Sequence, residues 1–264
     1  MRIVRLFAAE LTRLARSRAS FSVILAVASL LIVAYLTMGV TRPRLPVPER
    51  IAVADLLQFP EAHSSLMTVL LVFGAMFVAA YAGATGARQP TAGMAQDEAG
   101  AGGAVVGLLA FAALAVVLLL GLTMLYLGGL LVVIATDALT GPVPGAAIPR
   151  LAPGDIPGLL ARGWLAATMI ASIAFAAASA TRNGRAGLVV IAGLFFAEQL
   201  VPLVAQGIEP TWGPLATAAL LASADARQDL LNAVAVSMVY VGGSALVVAL
   251  GVARARRDRH VAAR

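Results

Sequence analysis

The sequence predicts an all-α, polytopic membrane protein of six transmembrane helices, with an amphipathic helix ahead of the first and both termini cytoplasmic. Three observations carry this. Of 264 residues, 61% are hydrophobic and 12% charged, and mean hydropathy is +0.93, whereas a soluble domain carries about 25% charged residues. The stretch 104–136 has no charged residue. As a helix it would reach roughly 50 Å, against a hydrocarbon core of about 30 Å, and it lacks the polar stripe of a soluble surface helix. The third observation is the placing of arginine. With both termini inside, thirteen of the nineteen basic residues fall in inner segments and six in outer ones, the asymmetry that sets topology.

The elements follow in order within one transmembrane domain, 1–264. Residues 1–18 read as an interfacial amphipathic helix. At 100° per residue Arg2, Arg5, Arg13 and Arg16 share one side, with Ile3, Phe7, Leu11 and Leu14 opposite. Such a helix lies at the lipid surface, basic face toward anionic headgroups. A secretory signal peptide is the competing reading. The long basic start and the missing small-x-small site after 19–40 argue against it.

The first span is 19–40, closed by Arg42, Pro43 and Arg44. Residues 49–63 suggest a short surface helix. The second span is 64–84, whose Gly74, Ala75, Ala79 and Gly83 form a side suited to close helix contact. A loop follows at 85–103. The third span is the long 104–136, expected to bend or break at Gly128 and Gly129. Five prolines make 137–160 a loop without a long helix. The fourth and fifth spans, 163–181 and 186–204, are joined by Arg182, Asn183, Gly184 and Arg185, a turn short enough only for a helical hairpin. Glu198 and Pro202 interrupt the fifth. A loop at 206–229 is expected to hold a short helix near 215–224 at the outer surface, and the sixth span is 230–253. An arginine-rich tail follows.

Several chemistries are excluded or unsupported. The chain has no cysteine and no lysine. Without lysine it cannot form the GxxxxGK[ST] loop that cradles ATP phosphates, so it is not a P-loop ATPase by itself. No cofactor is expected in this chain. His63 and His260 are far apart and neither lies in an HExxH pattern, so no metal site is expected. Gly242, Gly243 and Ser244 faintly suggest an intramembrane serine protease, but no histidine lies at membrane depth to act as its base. The scattered arginines argue against nucleic acid and for lipid headgroups.

Glu198 is the only acidic residue inside an expected span. Followed by Gln199, it is the candidate intramembrane polar site. It reads either as a proton or substrate contact or, with more weight, as a carboxyl near the outer helix end, hydrogen-bonded or reaching water. Arg88, Asp97 and Glu98, in the loop 85–103, are candidates for gripping a soluble partner. Trp164, Trp212, Tyr35, Tyr126 and Tyr240 read as interfacial or packing aromatics.

The layout resembles the ABC-2 type permease subunits of bacterial ABC exporters. The stretches that carry the likeness are RIAVADLLQFPEAHSSLMTVLLVFGAMFVAAYAG, SATRNGRAGLVVIAGLFFAEQLVPLV and SALVVALGVARARRDRH. The resemblance spans almost the whole chain and rests on layout rather than on a strict signature. It implies a transmembrane subunit in the bacterial inner membrane. That subunit pairs with a second, identical or different, permease subunit and with separate ATP-binding subunits that hold ATP and magnesium. Residues 1–18 would be the family's elbow helix, and 85–103 would hold the segment that docks on the ATPase. One departure is visible: the region after the second span reads YAGATGARQP, with no acid near Tyr81 and with Thr85 and Gly86 reversed from the family's Gly-Thr order. The alternative functions are an ion-gradient-driven secondary transporter using Glu198 and a non-transporting membrane scaffold.

Overall fold

A computed structural model describes residues 2–17, 22, 25, 29, 33, 75–87, 103–140, 155–204, 212–223 and 227–262. Among these the protein is all-helical, with seven helices: α1 (Arg2–Ala15), α2 (Ala75–Ala87), α3 (Gly103–Thr140), α4 (Asp155–Thr181), α5 (Gly184–Val204), α6 (Pro214–Ser223) and α7 (Arg227–Ala262). Four of them contain apolar stretches long enough to cross a membrane: Val105–Met124, Leu160–Thr181, Gly184–Val204 and Gln228–Leu250. The expected first span lies outside the described residues except for Ser22, Leu25, Ser29 and Val33, which are helical. Of the expected second span the described part is α2.

The helix α4 is the centre. It buries 67% of its apolar stretch, against 17% for α5 and 22% for α7. Every other helix except α1 packs on it, while α1 packs on α3. The core is built around Met169, Ile170, Ala174 and Phe175 of α4, with Ala113 and Leu114 of α3. Phe111 and Phe175 meet as a tilted pair with centroids 5.7 Å apart, and the Trp164 indole N–H donates to the Ala115 carbonyl at 2.8 Å, so α3 and α4 share both packing and a polar tie.

The junction of α2, α4 and α5 is made of small residues. Ala75, Ala79, Ala82, Gly83 and Gly86 of α2 are buried, which bears out the small-residue side read from the sequence. A Cβ on Gly187 of α5 would fall 2.6 Å from the Ala174 carbonyl oxygen and 3.1 Å from the Gly83 Cα. Backbones that close admit only glycine, and they bring many weak dispersion contacts together.

Between α4 and α5 the tight turn is as expected. Arg182 adopts φ 54°, the left-handed conformation that commonly ends a helix. The Asn183 side chain then caps α5, its Oδ1 accepting from the Arg185 N–H at 3.0 Å.

The helices overrun several expected boundaries. α2 continues to Ala87, α3 to Thr140 and α7 to Ala262, and α4 starts at Asp155. The sequence offers no stop at these points: Asp137, Ala138, Leu139 and Thr140 precede the Gly141-Pro142 breaker, and the tail after Gly251 is rich in alanine and arginine, both strong helix formers. Pro157 lies in the first turn of α4, where a missing N–H is tolerated. α3 does not break at Gly128 and Gly129. A glycine costs about 1 kcal/mol in a helix, less than freeing backbone groups in an apolar setting would.

The amphipathic α1 is present. Most of its apolar side is turned to the protein: Leu14 is buried and Phe7 and Leu11 pack against the core, while Ile3 is exposed. Arg5, Arg13 and Arg16 are exposed. The Arg13 guanidinium is paired with Glu10, its Nε donating to Glu10 Oε2 at 2.9 Å. That hydrogen bond raises the guanidinium above its ordinary value, partial burial opposes the rise, and the Tyr81 phenol of α2 adds to it.

Candidate functional site: a carboxylate clasp on a short helix

The site is built from α5, α6 and α7. Gly187, Ile191, Phe195 and Glu198 are the buried residues of α5. Their spacing of three or four residues traces one face, so the periodicity that buries Ile191 and Phe195 also turns Glu198 inward. Glu198 is only 5% exposed. Pro202, four residues on, lacks the N–H that would bond the Glu198 carbonyl, and α5 ends at Val204.

Both oxygens of the Glu198 carboxylate are engaged by the start of α6. The Leu215 N–H donates to Oε1 and the Ala216 N–H to Oε2, each at 2.9 Å. The local sequence explains the need. A helix start leaves several N–H groups without intrahelical partners, and Ser, Thr, Asp or Asn ordinarily supplies an acceptor. Here the residue before the helix is Gly213, which has no side chain, and the first is Pro214, which has no N–H. The Thr217 N–H closes onto the Gly213 carbonyl at 2.8 Å, leaving the Leu215 and Ala216 amides to be satisfied from elsewhere. Glu198, 17 and 18 residues upstream, does so, and its charge suits the positive end of the helix dipole.

Gly213 is fitted to this arrangement. A Cβ there would lie 2.6 Å from Glu198 Oε1, so any larger residue displaces the carboxylate. A second tie holds the same segment: the Tyr240 hydroxyl of α7 donates to the Trp212 carbonyl at 3.0 Å. Among the described residues, the Thr217 hydroxyl on α6 and the Thr168 hydroxyl on α4 are buried without a hydrogen-bond partner.

These contacts fix the depth of α6. Glu198 lies six residues before the end of α5, about 9 Å along it, and Tyr240 lies thirteen residues into α7, about 20 Å along it. The N-terminus of α6 therefore sits well inside the bundle. Its ten residues climb about 15 Å back to where α7 starts. α6 thus runs back alongside the first part of α7, antiparallel to it. At its start the Leu215 and Ala216 amides are satisfied by Glu198 and the Trp212 carbonyl by Tyr240, with the Trp212 side chain exposed.

The opposite end carries most of the described basic residues; Arg162 and Arg227 are at the α6 end. Gly83 of α2 abuts Gly184 beside the exposed Arg182 and Arg185, and Arg13 of α1 is close enough to Tyr81 to interact. α7 runs on from Tyr240 along α4 and α3, carrying the terminal arginines away from α6.

Of the residues singled out in the sequence, Glu198 is therefore a buried cap, in keeping with the hydrogen-bonded reading. Gln199 beside it is exposed on the outer face of α5 and does not share the clasp. Arg88, Asp97 and Glu98 lie outside the described residues. The α6 amides that Glu198 accepts from, the room left by Gly213 and the Tyr240 tie to Trp212 have no marker in the sequence patterns, although the bare Gly-Pro helix start is a visible sign that an acceptor has to come from another helix. No group of three or more acidic or histidine residues gathers among the described residues. The sequence matches no protein-family model and no curated protein.

Proposed function

We propose that this chain is the membrane-spanning permease subunit of an ABC-type exporter, working as a dimer of permease subunits and driven by separate ATP-binding subunits. The observation that carries the reading is the asymmetry between the two ends of the bundle. One end gathers α1, the Arg182–Arg185 turn and the C-terminal arginines; the other holds the short α6. By the positive-inside rule the arginine end faces the cytoplasm, with both termini there and six spans once 19–40 and 64–84 are counted. In this reading α1 is the elbow helix, and the loop 85–103, with Arg88, Asp97 and Glu98, is the coupling segment on which an ATPase docks. The membrane is the bacterial inner membrane.

The chain does no bond chemistry. Its part is to have two packings of similar stability, between which a partner that closes on ATP selects. Its apolar walls suit an apolar or amphipathic cargo. The test is affinity purification of the tagged chain from its native host. A co-purifying subunit with a GxxxxGK[ST] motif, and no ATP hydrolysis by the chain alone, are the expected results. Repeated failure to recover such a subunit would overturn the reading.

A further inference from the structure

We propose that Glu198 is a proton-binding latch: ionised, it holds the N-terminus of α6 inside the bundle, and protonated, it lets α6 withdraw and opens that end. The inference goes beyond the exporter reading and does not depend on it, because it concerns one helix and one side chain whatever drives the protein.

The geometry carries the argument. An ionised carboxylate offers acceptors on both oxygens, and both are used, by the Leu215 and Ala216 amides. A proton binds one oxygen and turns it from acceptor to donor. The amide facing that oxygen then confronts a hydroxyl, and the attraction between the negative charge and the positive helix end is lost. Few other bonds compensate. The Tyr240 hydroxyl holds Trp212, not the α6 amides, and the Thr217 hydroxyl has no hydrogen-bond partner among the described residues. Thus the two α6 amides are fastened by one carboxylate, and Gly213 shows how closely that group is seated.

Among the described residues the ionisable group that acts on Glu198 is Tyr240 of α7. α6 carries none, and the others on the helices that pack on it are Arg227 and Asp229 at the start of α7 and Asp155 and Arg162 in the first half of α4. A Glu198→Gln variant leaves all of them in place. It keeps one acceptor and presents an amide group to the second N–H, so it mimics the protonated state.

The chain has no cysteine, which makes the latch directly measurable. Thr217 is fully buried and its hydroxyl is unbonded among the described residues, so Thr217→Cys places a thiol under α6 without removing a hydrogen bond between them. Its rate of reaction with N-ethylmaleimide is read in the full chain in detergent micelles, divided by the rate of the same protein unfolded in dodecyl sulfate at each pH, which removes the effect of thiol ionisation. A second protein with Ala113→Cys, buried between α3 and α4, reports whether the bundle itself stays closed.

With Glu198 intact, the normalised rate at Thr217→Cys is expected to rise about ten-fold or more from pH 8 to pH 5, the scale of one lost charge-assisted hydrogen bond. With Glu198→Gln it is expected to be high at both values and nearly independent of pH. Gly213→Ala, which displaces the carboxylate from the other side, is expected to raise the rate at pH 8. The Ala113→Cys rate is expected to stay low throughout. A rate at Thr217→Cys that ignores pH, a pH response that survives Glu198→Gln unchanged, or equal opening at Ala113→Cys would each overturn the latch.

Discussion

The two ends of the bundle are held by different physics. At the arginine end, α2, α4 and α5 meet through Gly83, Gly187 and Ala174, with a Gly187 Cβ position only 2.6 Å from a carbonyl oxygen. The attraction there is dispersion between closely approached backbones, which needs no charge. At the other end a carboxylate and a phenol hold α6 through three hydrogen bonds. A close-packed seam has one good arrangement and loses it by collision. A hydrogen-bonded clasp can be undone by altering one group while its surroundings stay packed. The contrast assigns rigidity to the first end and adjustability to the second.

The largest effect is expected from breaking the seam. Gly187→Leu should lower stability by more than about 3 kcal/mol, because the side chain must push two backbones apart; thermal unfolding in detergent checks it, and a near-neutral result would mean the seam is not tight. Glu198→Ala comes next, at about 2–3 kcal/mol, from two buried amides left without an acceptor. Its signature is local: hydrogen exchange should speed up across 214–223 and not across 75–87. Tyr240→Phe removes one bond to Trp212 and should cost about 1 kcal/mol, visible in the same exchange experiment.

Two smaller changes sharpen the comparison at the arginine end. Arg182→Gly should stabilise by about 0.5–1 kcal/mol, since Arg182 holds φ 54° and glycine adopts that conformation without strain. Glu10→Ala should cost less than about 1 kcal/mol, the pair with Arg13 being half-exposed at the surface. The sign of its pH dependence follows from the raised Arg13 value: the stabilisation is fully present below the unfolded value and is lost only as pH climbs through the still higher folded one. The contribution of the Arg13 guanidinium is therefore expected to be constant between pH 5 and 9, as the midpoint difference between the protein and Glu10→Ala would show near the top of that range.

Much of the fold could be read from the residues because local signals agreed. The arginines of α1 alternate with Phe7, Leu11 and Leu14 at helical spacing. The Arg182–Arg185 turn is too short for any other connection. The small residues of α2 lie on one side. The ends of α3, α4 and α7 were harder to place, because polar residues such as Asp137 or Arg254 were taken to end helices that have no breaker there. Gly128 and Gly129 misled for a related reason: a helix breaks where something replaces its hydrogen bonds, not wherever glycine occurs. The clasp was half legible. Glu198 stood out as a carboxyl in an apolar helix, but its partners are backbone amides, which every residue but proline has and no pattern advertises. Only the unusual start of α6, glycine followed by proline, marked a helix that had to borrow its cap.

The length of α6 has a consequence for how the protein is made. Ten residues are too few to enter a bilayer as an independent segment during synthesis, and their bare amides would be unwelcome among lipid tails. The helix must wait until its neighbours have been threaded in and brought side by side. It is then the last piece to be seated, and a chain interrupted before Tyr240 has emerged would lack one of the two ties that keep it there.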